Sequence, residues 1–193
     1  GVCAKYREPI PGVDGAAGGH GHISTETVNY LQNKYNFRKN ITVMGFSKGG
    51  SRVQDWAKGD LSEKFSYILK SLKRNNIEID YVFWHQGESE KRTSNQSYYQ
   101  KYVRNMNIIF QKFSQASNKT KIGMALVSVC NSERSDFFIN SQKSIIQNNE
   151  NVFLTLNTDN LGINYRYDGV HFYSLGASKI GKIYSELINK LNN

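Results

Sequence analysis

The chain has 193 residues, 38% of them hydrophobic and 12% aromatic, with only two prolines; this is the length of one domain and too apolar for a disordered tail. Its longest apolar runs, residues 122–129 and 152–156, fall far short of the roughly 20 residues of a spanning helix, so no membrane span is expected. Twenty-five Lys and Arg against sixteen Asp and Glu give a net charge of +9, yet lysines such as Lys64, Lys70, Lys101 and Lys182 are scattered over outer helix faces. With no helix-turn-helix, zinc-finger or ribonucleoprotein motif, no nucleic-acid partner is expected.

The first 23 residues are dense in Gly and Pro, from Pro9-Ile10-Pro11-Gly12 to Gly18-Gly19-His20-Gly21, and read as loop lying over a scaffold. No initiating Met and no signal-peptide pattern opens the chain, as expected if an upstream segment has been removed. A helix follows near residues 24–35, with Ser24 or Thr25 as its N-cap. Strands are expected at 41–46, 81–85, 122–129 and 152–157, where short β-branched or apolar runs are bounded by turn signals. Between them, apolar residues at helical spacing place helices at 61–74, 97–113 and 136–147, with a last one at 174–191. Strands alternating with helices define an α/β fold with a parallel sheet covered on both faces. Cys3 and Cys130 cannot make a zinc site alone and lack redox spacing; one disulfide between them would suit an exported protein.

Three segments carry candidate chemistry. Asp168-Gly169-Val170-His171 puts a carboxylate three residues before an imidazole, just ahead of a helix, where it can meet Nδ1 and aim Nε2 outward as a base. The same residues also fit a bend that Asp168 caps, with His171 incidental. Trp84-His85-Gln86-Gly87-Glu88-Ser89-Glu90 leaves the carboxyl end of an expected strand, the place where open α/β sheets bind ligands; Gln86 is a candidate amide donor and Glu88 a fixed acceptor. His85 fits equally a satisfied core histidine. Gly45-Phe46-Ser47-Lys48-Gly49-Gly50-Ser51 offers backbone N–H groups to an oxyanion and contains the Gly-x-Ser-x-Gly pattern of a nucleophile elbow.

Taken in order, Pro9-Ile10-Pro11-Gly12, Gly49-Gly50-Ser51 with Trp56, Trp84-His85-Gln86-Gly87-Glu88, Thr158-Asp159, and Arg166-Tyr167-Asp168-Gly169-Val170-His171 resemble the sialate O-acetylesterase and acetylxylan esterase branch of the SGNH hydrolases, similar to carbohydrate esterase family 6. The resemblance spans about Cys3 to Leu191. It implies a flavodoxin-like three-layer α/β/α sandwich that removes acetyl esters from sugars without metal or organic cofactor. By position it makes His171 the base, Asp168 its orienter, Gly50 a backbone oxyanion donor, and Gln86 a side chain in the block where related enzymes use an Asn. Arg166 with Tyr165, Tyr167 and Tyr173 are candidates to line a sugar subsite, with packing as the alternative.

The chain departs from that pattern at one essential point. The resembling enzymes carry the nucleophile in a Gly-Gln-Ser-Asn block at the end of their first strand, and neither that string nor Gly-Asp-Ser occurs here. The first strand and its serine are therefore expected upstream of residue 1, in the same protein or as a separate N-terminal peptide. Ser47, or Ser51, is the in-chain alternative, although Ser47 precedes the oxyanion glycines and would compete for their space. The expected function is a carbohydrate O-acetylesterase acting on an acetylated sugar or polysaccharide, with a secreted or periplasmic setting favoured. A catalytically silent carbohydrate-binding or structural domain is the alternative, and an O-acetyltransferase, for which no donor-site motif is present, is a further one.

Overall fold

The computed structural model describes residues 22–37, 39–90, 95–130 and 133–193. In chain order these form α1 (Ile23–Tyr35), α2 (Val53–Ala57), α3 (Asp60–Arg74), β1 (Tyr81–Trp84), α4 (Gln96–Ala116), β2 (Lys121–Leu126), α5 (Asp136–Gln147), β3 (Val152–Asn157), 3-10 turns at Thr158–Asn160 and Ile163–Tyr165, and α6 (Ser174–Asn192). The chain divides into two compact units, one of Gly1–Gly49 with Leu161–Asn193 and one of Gly50–Asn160.

The Gly50–Asn160 unit is organised by a parallel sheet in the order β1-β2-β3, with Trp84 opposite Met124 and Met124 opposite Leu154. Parallel neighbours cannot be joined by a tight turn, so α4 and α5 serve as the crossovers. β2 is buried from Ile122 through Leu126, the continuous apolar run of a central strand, whereas β1 is half-buried throughout. Tyr102, Met106, Ile109, Phe110 and Phe113 form the buried stripe of α4 at intervals of three and four residues. Rings from four elements interlock edge-to-face, Trp56 on Trp84 at 5.9 Å, Trp56 on Phe65 at 6.2 Å and Phe65 on Phe113 at 5.1 Å. Asn95 caps α4 by accepting from the N–H groups of Ser97 and Tyr98.

In the other unit α1 packs along α6. Leu31 faces Ala177, Ile180, Tyr184 and Ile188 in the buried set of this pair. Asn36 closes α1 in the left-handed region at φ 49°, a conformation Asn tolerates better than most residues.

Two sequence expectations need correction. Residues 41–46 are irregular chain rather than strand, although exposure alternates from Ile41 to Gly45 as it does along a strand. At α1 the N-cap position is held by His22 rather than Ser24 or Thr25, without a side-chain capping bond, because the helix already starts at Ile23. The five-residue α2 was not expected at all. The Gly- and Pro-rich opening and Cys3, the candidate partner of Cys130, lie outside the described residues.

Met124 and Leu154 are register neighbours, with 0% and 47% exposure. Met124→Ala is expected to cost about 2–5 kcal/mol and Leu154→Ala about 1 kcal/mol or less, a contrast that urea unfolding midpoints measure directly.

Candidate functional site

Each strand of the sheet ends in a polar loop, and side chains from elsewhere in the same unit close the backbone groups released there. After β2, Val127 donates its N–H to Gln142 Oε1 at 2.8 Å, and Gln142 Nε2 lies 3.2 Å from the Val127 carbonyl oxygen and 3.4 Å from that of Gln86. Gln142 is fully buried on the apolar face of α5. Asp159, in the turn after β3, accepts from the Ser128 N–H at 2.9 Å, the Ser128 hydroxyl at 2.6 Å and the Val129 N–H at 3.0 Å. Thr158 donates to the Leu126 carbonyl at 3.2 Å, which leaves its oxygen to accept from His85 Nε2 at 3.2 Å. His85 thus matches the satisfied-histidine reading. Burial also pushes the Tyr102 phenol, beside Gln142, well above its ordinary pKa.

The loop after β1 holds Gln86, Glu88 and Glu90. Glu88 accepts from the Gly87 N–H at 3.0 Å. Gly87 lies so close to the β2 terminus that a Cβ there would sit 2.1 Å from the Val127 carbonyl oxygen. Glu90 is only 6% exposed, yet its carboxylate is fully engaged: Oε1 accepts from the Val53 N–H at 2.6 Å and from Gln86 Nε2 at 2.8 Å, and Oε2 from the Tyr98 hydroxyl at 2.5 Å. Because a carboxylate only accepts, the Gln86 atom facing it must be the nitrogen. The second Gln86 N–H reaches the Ser51 carbonyl at 3.4 Å, and Gln86 Oε1 is buried without a partner. Ser51 Oγ in turn accepts from Trp56 Nε1 at 2.9 Å. Gly50 opens this segment at φ +69°, a left-handed conformation suited to glycine, with no atom within 4 Å of the place a Cβ would take.

The acid–imidazole pair belongs to the other unit. Asp168 Oδ2 lies 2.6 Å from His171 Nδ1, while Oδ1 accepts from the N–H groups of Val170 at 2.9 Å and His171 at 2.7 Å. One Asp168 oxygen caps the bend and the other meets the ring. Nδ1 must carry the proton shared with the carboxylate, which makes Nε2 the basic nitrogen of the neutral ring. Gly169 turns the chain at φ +80°, and the loop is closed by a bridge between Arg166 and Phe172 and by the Tyr167 N–H on the His171 carbonyl at 3.0 Å. Partial burial would push the Asp168 carboxyl up; hydrogen bonds from the His171 ring and from the His171 and Val170 N–H groups, with the imidazole charge, outweigh it and hold the pKa at about 2.

Around this loop Tyr167 stacks on the His171 ring, 5.7 Å between centroids with planes 20° apart, and also touches Tyr173. Tyr167 and Tyr173 are exposed, whereas Arg166 is 3% exposed, packed on the Phe172 ring and donating to the Val170 carbonyl. Arg166 therefore builds the loop rather than lining a sugar subsite.

The structure joins Asp168 to His171 in one unit, and Gln86 to the Gly50-Ser51 segment in the other. Ser47 lies in irregular chain, six residues before α2, and is not among the non-glycine residues with positive φ, so it does not sit on a strained strand-to-helix elbow. Sequence reasoning missed Glu90, Tyr98, Gln142 and Asp159 as supports. For Gln142 a signal existed, a polar residue on the apolar stripe Phe138-Ile139-Ile145. Among the described residues no three His, Cys, Asp or Glu side chains are grouped to hold a metal ion, and no helix is long and apolar enough to cross a membrane.

The chain thus combines a mixed α/β fold with a parallel sheet, polar loops at the strand ends and an acid–histidine loop before the last helix. Residues 23–190 match the family described as carbohydrate esterase, sialic acid-specific acetylesterase, and the chain belongs to that family. No curated protein sequence matches it. The fold is similar to that of an Arabidopsis thaliana protein, with a TM-score of 0.63 and 17% identity over 85% of this chain. The matched region spans 66% of the Arabidopsis chain. It is also similar to a carbohydrate esterase family 3 protein from Talaromyces cellulolyticus, with a TM-score of 0.57 and 14% identity, covering 86% of this chain and 89% of that one.

Gly87→Ala is expected to destabilise by at least about 1–3 kcal/mol through overpacking against Val127, read as a lowered thermal midpoint. For Asp168 the sign follows from its lowered pKa: the ionised carboxylate contributes fully above its ordinary value of roughly 3.9 and the contribution is lost as pH falls through about 2. The stability gap between the native protein and Asp168→Asn should accordingly narrow as pH falls from about 4 toward 2; urea midpoints at stepped pH test this, and a gap that does not change over that range would contradict it.

Proposed function

We propose that the protein is a serine O-acetylesterase that removes acetyl groups from a carbohydrate. The reading is carried by the Asp168–His171 pair, a carboxylate at 2.6 Å from Nδ1 that leaves Nε2 as the base, in a chain whose family is one of carbohydrate esterases. In the proposed reaction a serine hydroxyl gives its proton to His171 Nε2 as its oxygen bonds to the acetyl carbonyl carbon. The backbone N–H groups of Gly50 and of the serine, with the Gln86 amide, take the charge of the tetrahedral oxyanion. Collapse breaks the ester bond, and the sugar hydroxyl leaves with the proton from His171. Water then attacks the acetyl-serine, again through His171, and acetate is released.

The serine itself is proposed to lie upstream of Gly1, on a first strand in the same protein or on a separate peptide. Tyr167 and Tyr173, exposed beside His171, are proposed to offer their faces to the sugar ring. No step in this scheme calls on a metal or an organic cofactor.

Acetate release from an O-acetylated sugar and from p-nitrophenyl acetate tests the reading, with the chain assayed alone and together with its upstream segment. Activity is expected only with that segment present, and His171→Ala should lower it about 10⁴-fold with the circular dichroism spectrum unchanged. Turnover by the chain alone would move the nucleophile to Ser47 or Ser51. Turnover that survives His171→Ala would remove the dyad from the mechanism, and no turnover in any form would favour a silent binding domain.

A further inference from the structure

We propose that Glu90 is a positioning residue that fixes which end of the Gln86 carboxamide faces a substrate oxyanion. The inference rests on the acetylesterase reading and assigns a task within it that the buried carboxylate alone is placed to perform.

A carboxamide is two-faced. Its nitrogen end donates to an oxyanion, while its oxygen end repels one, and rotation by 180° exchanges them at little steric cost. A glutamine can therefore serve as an oxyanion donor only if its surroundings forbid the second orientation. Glu90 does so because a carboxylate has lone pairs and no proton to offer: Gln86 Nε2 rests against Oε1 at 2.8 Å, and the rotated amide would set oxygen against oxygen there. Glu90 is itself immobile, held at 6% exposure by the Val53 N–H at the start of α2 and by the Tyr98 hydroxyl in the first turn of α4.

The two N–H groups of Gln86 are held unequally. The one on Glu90 is short and charge-assisted; the other points to the neutral Ser51 carbonyl at 3.4 Å, near the limit of a hydrogen bond. The second N–H is thus available to a stronger acceptor, and an oxyanion, carrying full charge, would displace the carbonyl. The orientation is kept although it leaves Gln86 Oε1 buried and unpartnered, the reverse of what the amide would choose for its own hydrogen bonding. That is the mark of an orientation imposed by Glu90.

The test separates positioning from mere support. Glu90→Leu, measured in the protein with its upstream segment, removes the acceptor that Gln86 Nε2 rests on; kcat should fall about 10²-fold, the scale of a lost oxyanion donor, with KM within about threefold. Glu90→Gln keeps an oxygen that can accept from both the Val53 N–H and Gln86 Nε2 while its own nitrogen meets the Tyr98 oxygen. A kcat that is lost in Glu90→Leu and largely retained in Glu90→Gln supports the proposal; a kcat for Glu90→Leu within threefold of the native enzyme, or an equal loss in both variants, overturns it. The Gln86 side-chain amide signals in a nitrogen-15 NMR spectrum read the same hold without any substrate. One of the two Nε2 protons should be shifted downfield and slow to exchange, and Glu90→Leu should abolish the difference. If the native protein proves to have no esterase activity, the acetylesterase reading fails, while the NMR result still decides whether Glu90 orients the amide.

Discussion

Where a parallel strand stops, its backbone groups lose their ladder partners, and in the Gly50–Asn160 unit that loss is made good by buried side chains. Gln142 takes both backbone groups of Val127, Asp159 takes Ser128 and Val129, and Thr158 takes Leu126; Glu90 does the same for Val53 at the start of α2. None of these groups could be buried unpaired without a cost of about 1–3 kcal/mol each. Meeting that requirement makes the loops at this end of the sheet as well determined as the strands, because each is tied to a side chain on a helix or turn of fixed position. Loops normally supply chemistry at the expense of order; here the hydrogen bonds that complete the fold also hold the amide and the glycine segment in place.

The helices and three of the four expected strands were legible because their signals are local. Residues 136–147 and 152–157 match α5 and β3, and α4 extends the expected 97–113 by one residue before and three after. The Asp168–His171 pair was legible for the same reason: three residues and one glycine suffice to bring the two side chains together. Gln142 and Glu90 belong to another category. Their importance comes from partners 15 to 56 residues away in sequence, Val127 and Gln86 for one, Val53 for the other, and no local pattern encodes such distances. The buried Arg166 shows the converse, since a charged residue beside a candidate base reads as a ligand until its guanidinium is found against Phe172.

Residues 41–46 mark where local signals stop being sufficient. Ile41, Val43 and Gly45 are half-buried while Thr42 and Met44 are exposed, the period-two pattern of a strand with one covered face. Side-chain alternation sets which face points inward, but hydrogen bonds to a neighbour make a strand of it. The segment therefore has a strand's composition and exposure pattern without being one of the three strands β1, β2 and β3.

The loop from Arg166 to Phe172 works by geometry more than by field strength. Asp168 and His171 have side chains 40% and 57% exposed, so water screens their charges and an ion pair in that setting contributes little by attraction alone. The loop contributes order instead. With Oδ1 bound to two backbone N–H groups, the Asp168 side chain has one available rotamer, and that rotamer points Oδ2 at Nδ1; the Tyr167 ring then limits rotation of the imidazole from its face. In the proposed reaction, the conformational entropy of aligning carboxylate and imidazole is spent when the loop folds rather than when a substrate arrives. An exposed dyad can orient a base only on that condition, and the two backbone hydrogen bonds to one carboxylate oxygen are what meet it.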